Sequence, residues 1–485
     1  VNTLLSVDLG TTGCKAALYS TAGVLLGSHT VEYSLIHTGP GYVEQDAELW
    51  WRLTMETIQG AILGSGVDPQ TVAALSASTQ GISFVPVDAS GRVLRNAINW
   101  LDMRATNEAA EIEDAVGADT LFQITGKRPS AAYVLPKILW LRAHEPHVYR
   151  DTAKFLMAHD YLLFRCCGAT VTDYSMAGGS ALLDIGRLDW SADLLAIFDV
   201  DRGKLPDLAW AGTIAGRLDE DVARLLGLAP GLPVVVGGQD QKCAALGAGI
   251  HSGVATVSLG TASAISGLVD RPVLDAGQRI PTFPFVIPGF WDLEGVVSTA
   301  GAALKWLGTV LFPGTCYSSL DALAERSVPG AHGVRFYPHL TGATSPLWQK
   351  DARGAFLGLT LASDAGDIVR SVLEGIAYQI RANLDVIEAL TPVEGLILFG
   401  GGARSRLWAG IIAAIAAKPV RVTEIVDVAN WGACVLAGAG AGLFDPVVDL
   451  TASVSASIVP QDQDVAEYEA LFREYVDAER VVIAG

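Results

Sequence analysis

The segment Asp8-Leu9-Gly10-Thr11-Thr12-Gly13-Cys14-Lys15 combines residue types that suit a phosphoryl group. Glycines let backbone N–H groups approach phosphate oxygens, and threonine hydroxyls add donors. Lys15 can supply positive charge, and Asp8 at a strand end can hold Mg2+ through water. The same residues would also make an ordinary tight hairpin. A second stretch, Val236-Gly237-Gly238-Gln239-Asp240-Gln241-Lys242-Cys243-Ala244, sets a carboxylate beside glycines, after an apolar strand and before a small-residue helix. Asp240 there can accept the proton of a hydroxyl attacking a phosphoryl group, or it can simply cap the helix. The third stretch is Leu398-Phe399-Gly400-Gly401-Gly402-Ala403-Arg404-Ser405-Arg406-Leu407-Trp408. A plain strand–helix turn needs one glycine. Three bare ones suit a flat nucleobase or ribose lying against the backbone, with Ser405 starting the helix. No Gly-x-x-x-x-Gly-Lys-Ser/Thr sequence occurs, which argues against a P-loop.

Strands and turns must position these groups. Residues 4–9 are β-like, Gly10–Gly13 turns, 14–20 is a second strand, and 24–33 a third. A helix is expected over 47–63, capped by Asp46, with Leu49, Leu53, Ile58 and Ile62 at helical spacing. Near the middle the pattern returns: 254–259 is β-like, Gly260-Thr261 turns, and 262–268 is the next strand. Asp8-Leu9-Gly10-Thr11 and Ser258-Leu259-Gly260-Thr261 therefore occupy matching strand–turn–strand settings. Two copies of one α/β fold are expected, 1–248 and 249–485, with a ligand cleft between them. Residues 105–225 read as helical with insertions, and 172–190 as irregular structure lining something. His159-Asp160 lacks a nucleophile partner and reads as structural, Trp50-Trp51 as core. Gly438-Ala439-Gly440-Ala441-Gly442 reads as close helix packing, because no strand precedes it in the register of a dinucleotide loop.

Composition bounds the partners. At 485 residues the chain is too long for one ordinary core, and with 50% apolar and 18% charged residues it can bury large ones. A net charge of −19 disfavours nucleic-acid or anionic-membrane binding. Six cysteines without a Cys-x-x-Cys pair point to reduced thiols in a cytoplasmic protein, and eight scattered histidines show no zinc spacing. The apolar start is cut short by Asp8, and no charge-free run reaches spanning length, so a soluble chain without a membrane segment is expected.

Taken in order, these motifs resemble the FGGY family of carbohydrate kinases, in the actin/Hsp70/hexokinase-like superfamily. Further matching segments are Gly41-Tyr42-Val43-Glu44-Gln45-Asp46, Asn99-Trp100-Leu101-Asp102-Met103-Arg104, residues 173–190 and Tyr337-Pro338-His339-Leu340. The last helix near a nucleotide is matched by 429–438. The resemblance implies an α/β fold of two ribonuclease-H-like domains closing over ATP, Mg2+ and a sugar or polyol, and it allows a homodimer. It implies Asp240 as catalytic base. Gly10, Thr11, Thr12 and Lys15 match the first phosphate motif, Gly260 and Thr261 the second. Gly401, Gly402 and Ser405 match the adenosine site, where many members have Asn in place of Ser405. Asp8 and Asp240 would face the metal.

The sugar end departs from well-known relatives. Glycerol kinases carry an Arg-Glu pair, and xylulokinases usually a Met-His pair, where this chain has Gly81-Ile82. Residues 173–190 nevertheless look most like the xylulokinase branch. Expected substrate contacts are Gln80, Trp100, Asp102, Asp240 and Gln241, with Arg104 a structural partner of Asp102. The leading expectation is phosphorylation of a primary hydroxyl of a ketose such as xylulose. The alternatives are a kinase of another polyol, sugar acid or signalling furanone, and a nucleotide-gated binding protein without transfer activity.

Overall fold

The computed structural model describes residues 2–443, 445 and 457–484. Its frame is two six-stranded sheets of matching order. In the first, β1 (Thr3–Leu9), β2 (Gly13–Ser20) and β3 (Leu25–Glu32) form the antiparallel meander, and β4 (Val72–Thr79) joins β1 in parallel. After the edge strand β5 (Ile214–Arg217), β6 (Pro233–Gln239) pairs in parallel with β4, giving the order β5-β6-β4-β1-β2-β3. The second sheet contains β7 (Val254–Ser258), β8 (Ser263–Val269), β9 (Thr282–Pro284) and β10 (Trp291–Val297). With β11 (Gly395–Phe399) and β12 (Val420–Val422) it runs β9-β10-β8-β7-β11-β12. Removing one edge strand from each leaves the same five-strand order, a ribonuclease-H-like sheet built twice, as expected.

The local signals act where they were read. Asp46 accepts from the Glu48 N–H and starts helix α1 (Ala47–Ser65), which Gly66 ends in a left-handed conformation. Trp50 is core, whereas Trp51 is partly exposed under the Arg165 guanidinium. Segment 172–190 is not an irregular lining. It holds short regular pieces, strand Val171–Asp173 and helix Tyr174–Gly178, and Thr172, Asp173 and Ser175 are fully buried. Local propensity missed these elements because tertiary contacts hold them. All six cysteines are free thiols. No helix among the described residues is long and apolar enough to cross a membrane.

One helix breaks the division by sequence halves. α2 (Asp240–Ala248) follows β6, and α6 (Val428–Gly440), far along the second half, packs against α2 and the first sheet. (Between them lie α3, Gly301–Val310; α4, Ala365–Glu388; and α5, Arg406–Ala416.) Backbones nearly touch here: a Cβ on Gly432 would lie 1.9 Å from the Cys243 carbonyl oxygen, one on Gly247 2.0 Å from that of Val428. Gly440 likewise fits closely against Val235 and Gly212. The glycine-rich run is helix packing.

Candidate active site

The parallel registers set the site. Leu9 of β1 lies opposite Thr79 of β4, and Thr79 opposite Gln239 of β6. The segments that follow, Gly10–Thr12, Gln80–Ile82 and Asp240, therefore leave adjacent strands at one edge. In the second sheet Ser258 lies opposite Phe399, so the turn at 259–262 and the triple glycine also emerge side by side. Carboxyl ends of parallel strands are where open α/β sheets take their ligands.

The first turn is tied to the loop carrying Trp100. Trp100 Nε1 donates to Thr11 Oγ1 at 2.9 Å, and Gln45 Nε2 donates to the Thr11 carbonyl at 2.8 Å. Thr11 thus accepts from the indole while its own hydroxyl hydrogen stays available to a phosphate. Thr12 is exposed, and Lys15 Nζ lies 2.6 Å from Asp427 Oδ2, at the N-cap of α6. Lys15 must exchange that partner to reach a phosphate. Asp8 accepts from the Ser78 hydroxyl at 2.8 Å. Burial first, then the charges of Asp427 and Asp240, push its carboxyl up to about 8. Such mutually repelling carboxylates with few cations between them would welcome a divalent cation. Among the described residues no three His, Cys, Asp or Glu converge to hold a metal unaided. That donor set suits an ion held mainly by phosphate oxygens and water, as Mg2+ is.

Asp240 opens α2. Its Oδ1 accepts from the Gln241 N–H at 2.7 Å and from Gln239 Nε2 at 2.8 Å. It keeps some exposure to the cleft, yet the surrounding protein removes enough water to push the carboxyl up to about 7. The Gln241 amide works against that rise, and Glu294 adds to it. A carboxylate near 7 is a base matched to neutral pH. Trp100, 39% exposed, and Gln241 stand beside the same cleft edge.

Two expected substrate contacts stand behind the cleft wall instead. Asp102 is fully buried, its Oδ1 taken by the Arg104 N–H and Nε, its Oδ2 by the Val43 N–H and Arg104 Nη2. Gln80 spends its amide on Gln45 and Asn99. A buried polar group must be satisfied internally, and both are. Their work is to hold the Trp100 loop.

The second turn abuts a helix. The Gly301 N–H donates to the Gly260 carbonyl at 2.8 Å, and that of Ala302 to Thr261 at 3.0 Å, so the N-terminus of α3 sits on the exposed Gly260-Thr261 backbone. A cavity of about 970 Å³ opens beside it, lined by Gly260, Thr261, Gly401, Gly402 and Ser405. Gly400 turns with φ 92 against Leu259, while Gly401 faces open space. Ser405 Oγ accepts from the Trp408 N–H at 3.1 Å and caps α5. Further lining residues had no signal in the sequence: Lys305 and Trp306 of α3, with Tyr317 and Asp321 of helix Tyr317–Ala324. These carry no motif, because single side chains on two helices have no local signature. A glycine-floored cavity with an aromatic wall beside a helix N-terminus suits a nucleotide.

The comparisons agree with this geometry. Residues 3–247 match the N-terminal domain model of the FGGY family of carbohydrate kinases, and residues 255–441 the C-terminal one. The chain is 31% identical over 477 residues to the xylulose kinase of Bacillus subtilis (strain 168), covering 97% of this chain and 95% of that protein. Two solved structures from Lactobacillus acidophilus, a ligand-bound xylulose kinase and a gluconate kinase, each superpose with TM-score 0.94 at 25% identity. Each alignment covers 100% of this chain and 99% of the other. Equal likeness to kinases named for two different sugars means that the fold does not choose between them. Twin sheets, paired Leu-Gly-Thr turns and the full-length matches together show that this chain belongs to the FGGY family of carbohydrate kinases.

Proposed function

We propose that this chain transfers the γ-phosphate of ATP to a primary hydroxyl of a neutral ketose, a pentulose such as xylulose. Asp240 carries the reading: a carboxyl near 7, with Oδ1 pinned and no partner for Oδ2 among the described residues, at the edge shared with the first phosphate turn. In this mechanism Asp240 takes the proton of the sugar hydroxyl as its oxygen attacks the γ-phosphorus in line. The bond to the ADP oxygen breaks, and Gly10–Thr12 and Gly260-Thr261 stabilise the charge on the phosphoryl oxygens. Gly401, Gly402 and Ser405 seat the adenosine. Mg2+, when bound near Asp8 and Asp240, neutralises charge on the phosphates. Closure of the two halves excludes water, the competing nucleophile.

Charge at the sugar end supports a neutral substrate. Lys242, two residues after Asp240, is fully buried and lies 2.6 Å from Asp292 Oδ2 and 2.5 Å from Glu294 Oε2. Lys127, buried in the same group, is held well below its usual value by burial and then by the charge of Lys242. Lys242 is then one cation facing two carboxylates, and the region stays negative beside Asp240, which opposes a sugar acid. The test is sugar-dependent ADP release across ketoses, polyols and gluconate. Turnover with a ketulose is the expected result. Turnover with gluconate alone overturns the neutral-substrate reading, and sugar-independent ATP hydrolysis overturns the transfer reading.

A further inference from the structure

The strand that delivers Asp240 does not end regularly. Along β6 and β4, Val235 lies opposite Ser76 but Gly238 opposite Ser78, so three steps on β6 answer two on β4. This is a bulge, and a bulge frees backbone groups from the ladder. It is tight: a Cβ on Gly237 would lie 1.8 Å from the Ala77 carbonyl oxygen, and one on Gly238 2.4 Å from Val286 Cγ1.

Two amides of the bulge are bound by side chains from outside the sheet. The Gly237 N–H donates to His159 Nε2 at 2.9 Å, and the Gln239 N–H donates to Ser175 Oγ at 3.0 Å. Both residues are fully buried, and each is backed by a carboxylate. With Nε2 accepting, the imidazole carries its proton on Nδ1, 3.3 Å from Asp160 Oδ1. Asp160 Oδ2 in turn accepts from the Met157 N–H at 2.9 Å. Ser175 Oγ donates to Asp173 Oδ1 at 3.1 Å, and Asp173 caps the helix Tyr174–Gly178 through the amides of Ser175 and Met176. From Gln239 the chain of contacts reaches the carboxylate itself, through Gln239 Nε2 to Asp240 Oδ1.

We propose that His159 and Ser175, oriented by Asp160 and Asp173, are positioning residues for Asp240: they fix the bulge that aims its free oxygen at the sugar hydroxyl. The inference rests on Asp240 as the general base. His159-Asp160, structural by its sequence context, then has a kinetic role as well. Neither side chain touches substrate. Each holds the backbone one or three residues before the base, where a displacement of about 1 Å can cost roughly 10²-fold in rate.

Steady-state kinetics on Ser175→Ala, His159→Leu, Asp240→Asn and the Ser175→Ala/Asp240→Asn double variant tests it, with ATP and D-xylulose or whichever sugar the panel identifies. Ser175→Ala and His159→Leu are each expected to lower kcat about 10- to 100-fold, with KM for ATP and ADP affinity within about twofold. Ser175→Thr and His159→Gln, which keep an acceptor for the amide, are expected to recover most of the loss. In the Asp240→Asn background Ser175→Ala is expected to cost almost nothing more, since residues acting as a unit are not additive. Ser175→Ala, alone and with Asp240→Asn, keeps the question open to measurement if His159→Leu does not fold. Full kcat in Ser175→Ala and His159→Leu while Asp240→Asn is dead would overturn the positioning role alone. So would the same fractional loss with and without Asp240. Near-normal turnover in Asp240→Asn itself would remove the base, and the positioning role with it.

Discussion

The base role proposed for Asp240 draws on where the residue sits, and the pH dependence expected of it follows from the sign of its shift. Protein burial disfavours the carboxylate and raises the group to about 7. Proton abstraction needs the ionised form, so kcat/KM should fall about tenfold per pH unit below 7 and level off above it. Asp240→Asn should lower kcat by about 10²–10⁴ and abolish that slope, while calorimetry finds ADP bound as before. In the segment after β4, Ile82 has a φ of 67, a left-handed conformation that a β-branched residue rarely adopts. Such strain costs on the order of 1–3 kcal/mol. Ile82→Gly should therefore raise the melting temperature while raising KM for the sugar; unchanged values of both would mean that Ile82 is neither strained nor near substrate.

Elements bring these residues together through contacts that tolerate little change. The α2–α6 crossing sets the second half's Asp427 beside Lys15 of the first, and glycines permit the approach. Gly432→Ala would push a methyl into the Cys243 carbonyl, a backbone atom that cannot swing away. A loss of about 1–3 kcal/mol is expected by chemical denaturation. Gly410→Ala in α5 is the contrast, since nothing lies within 4 Å of the new carbon. It should gain about 0.5–1 kcal/mol from reduced backbone entropy. Equal effects at both sites would contradict the packing argument.

At the scale of the molecule the halves are joined a second time, by a buried charge group. Lys242 leaves the first half to meet Asp292 and Glu294 of the second, and Lys127 Nζ donates to the Thr282 carbonyl nearby. Removing a buried cation strands its carboxylates, so Lys242→Met should cost about 3–5 kcal/mol. Adding Asp292→Asn and Glu294→Gln should restore much of it in thermal melts. This joint lies beside Asp240.

What the sequence determined by itself is whatever depends on a few consecutive residues. The meander around Gly10–Gly13, the cap at Asp46 and the helix started by Ser405 are all local, and each forms as read. So is the chemical identity of Asp240 between two Leu-Gly-Thr turns. Tertiary structure alone decided which polar side chains face the cleft. Asp102 and Gln80 looked like sugar ligands but are consumed by Arg104, Gln45 and Asn99, whereas Glu294, Asp321, His159 and Ser175 carried no local signal and stand around the site. The reason is physical. Backbone propensity is set by near neighbours, but a polar side chain takes the partner that burial puts within about 3 Å, whether two residues away, as Arg104 is from Asp102, or tens of residues away, as Gln45 is from Gln80.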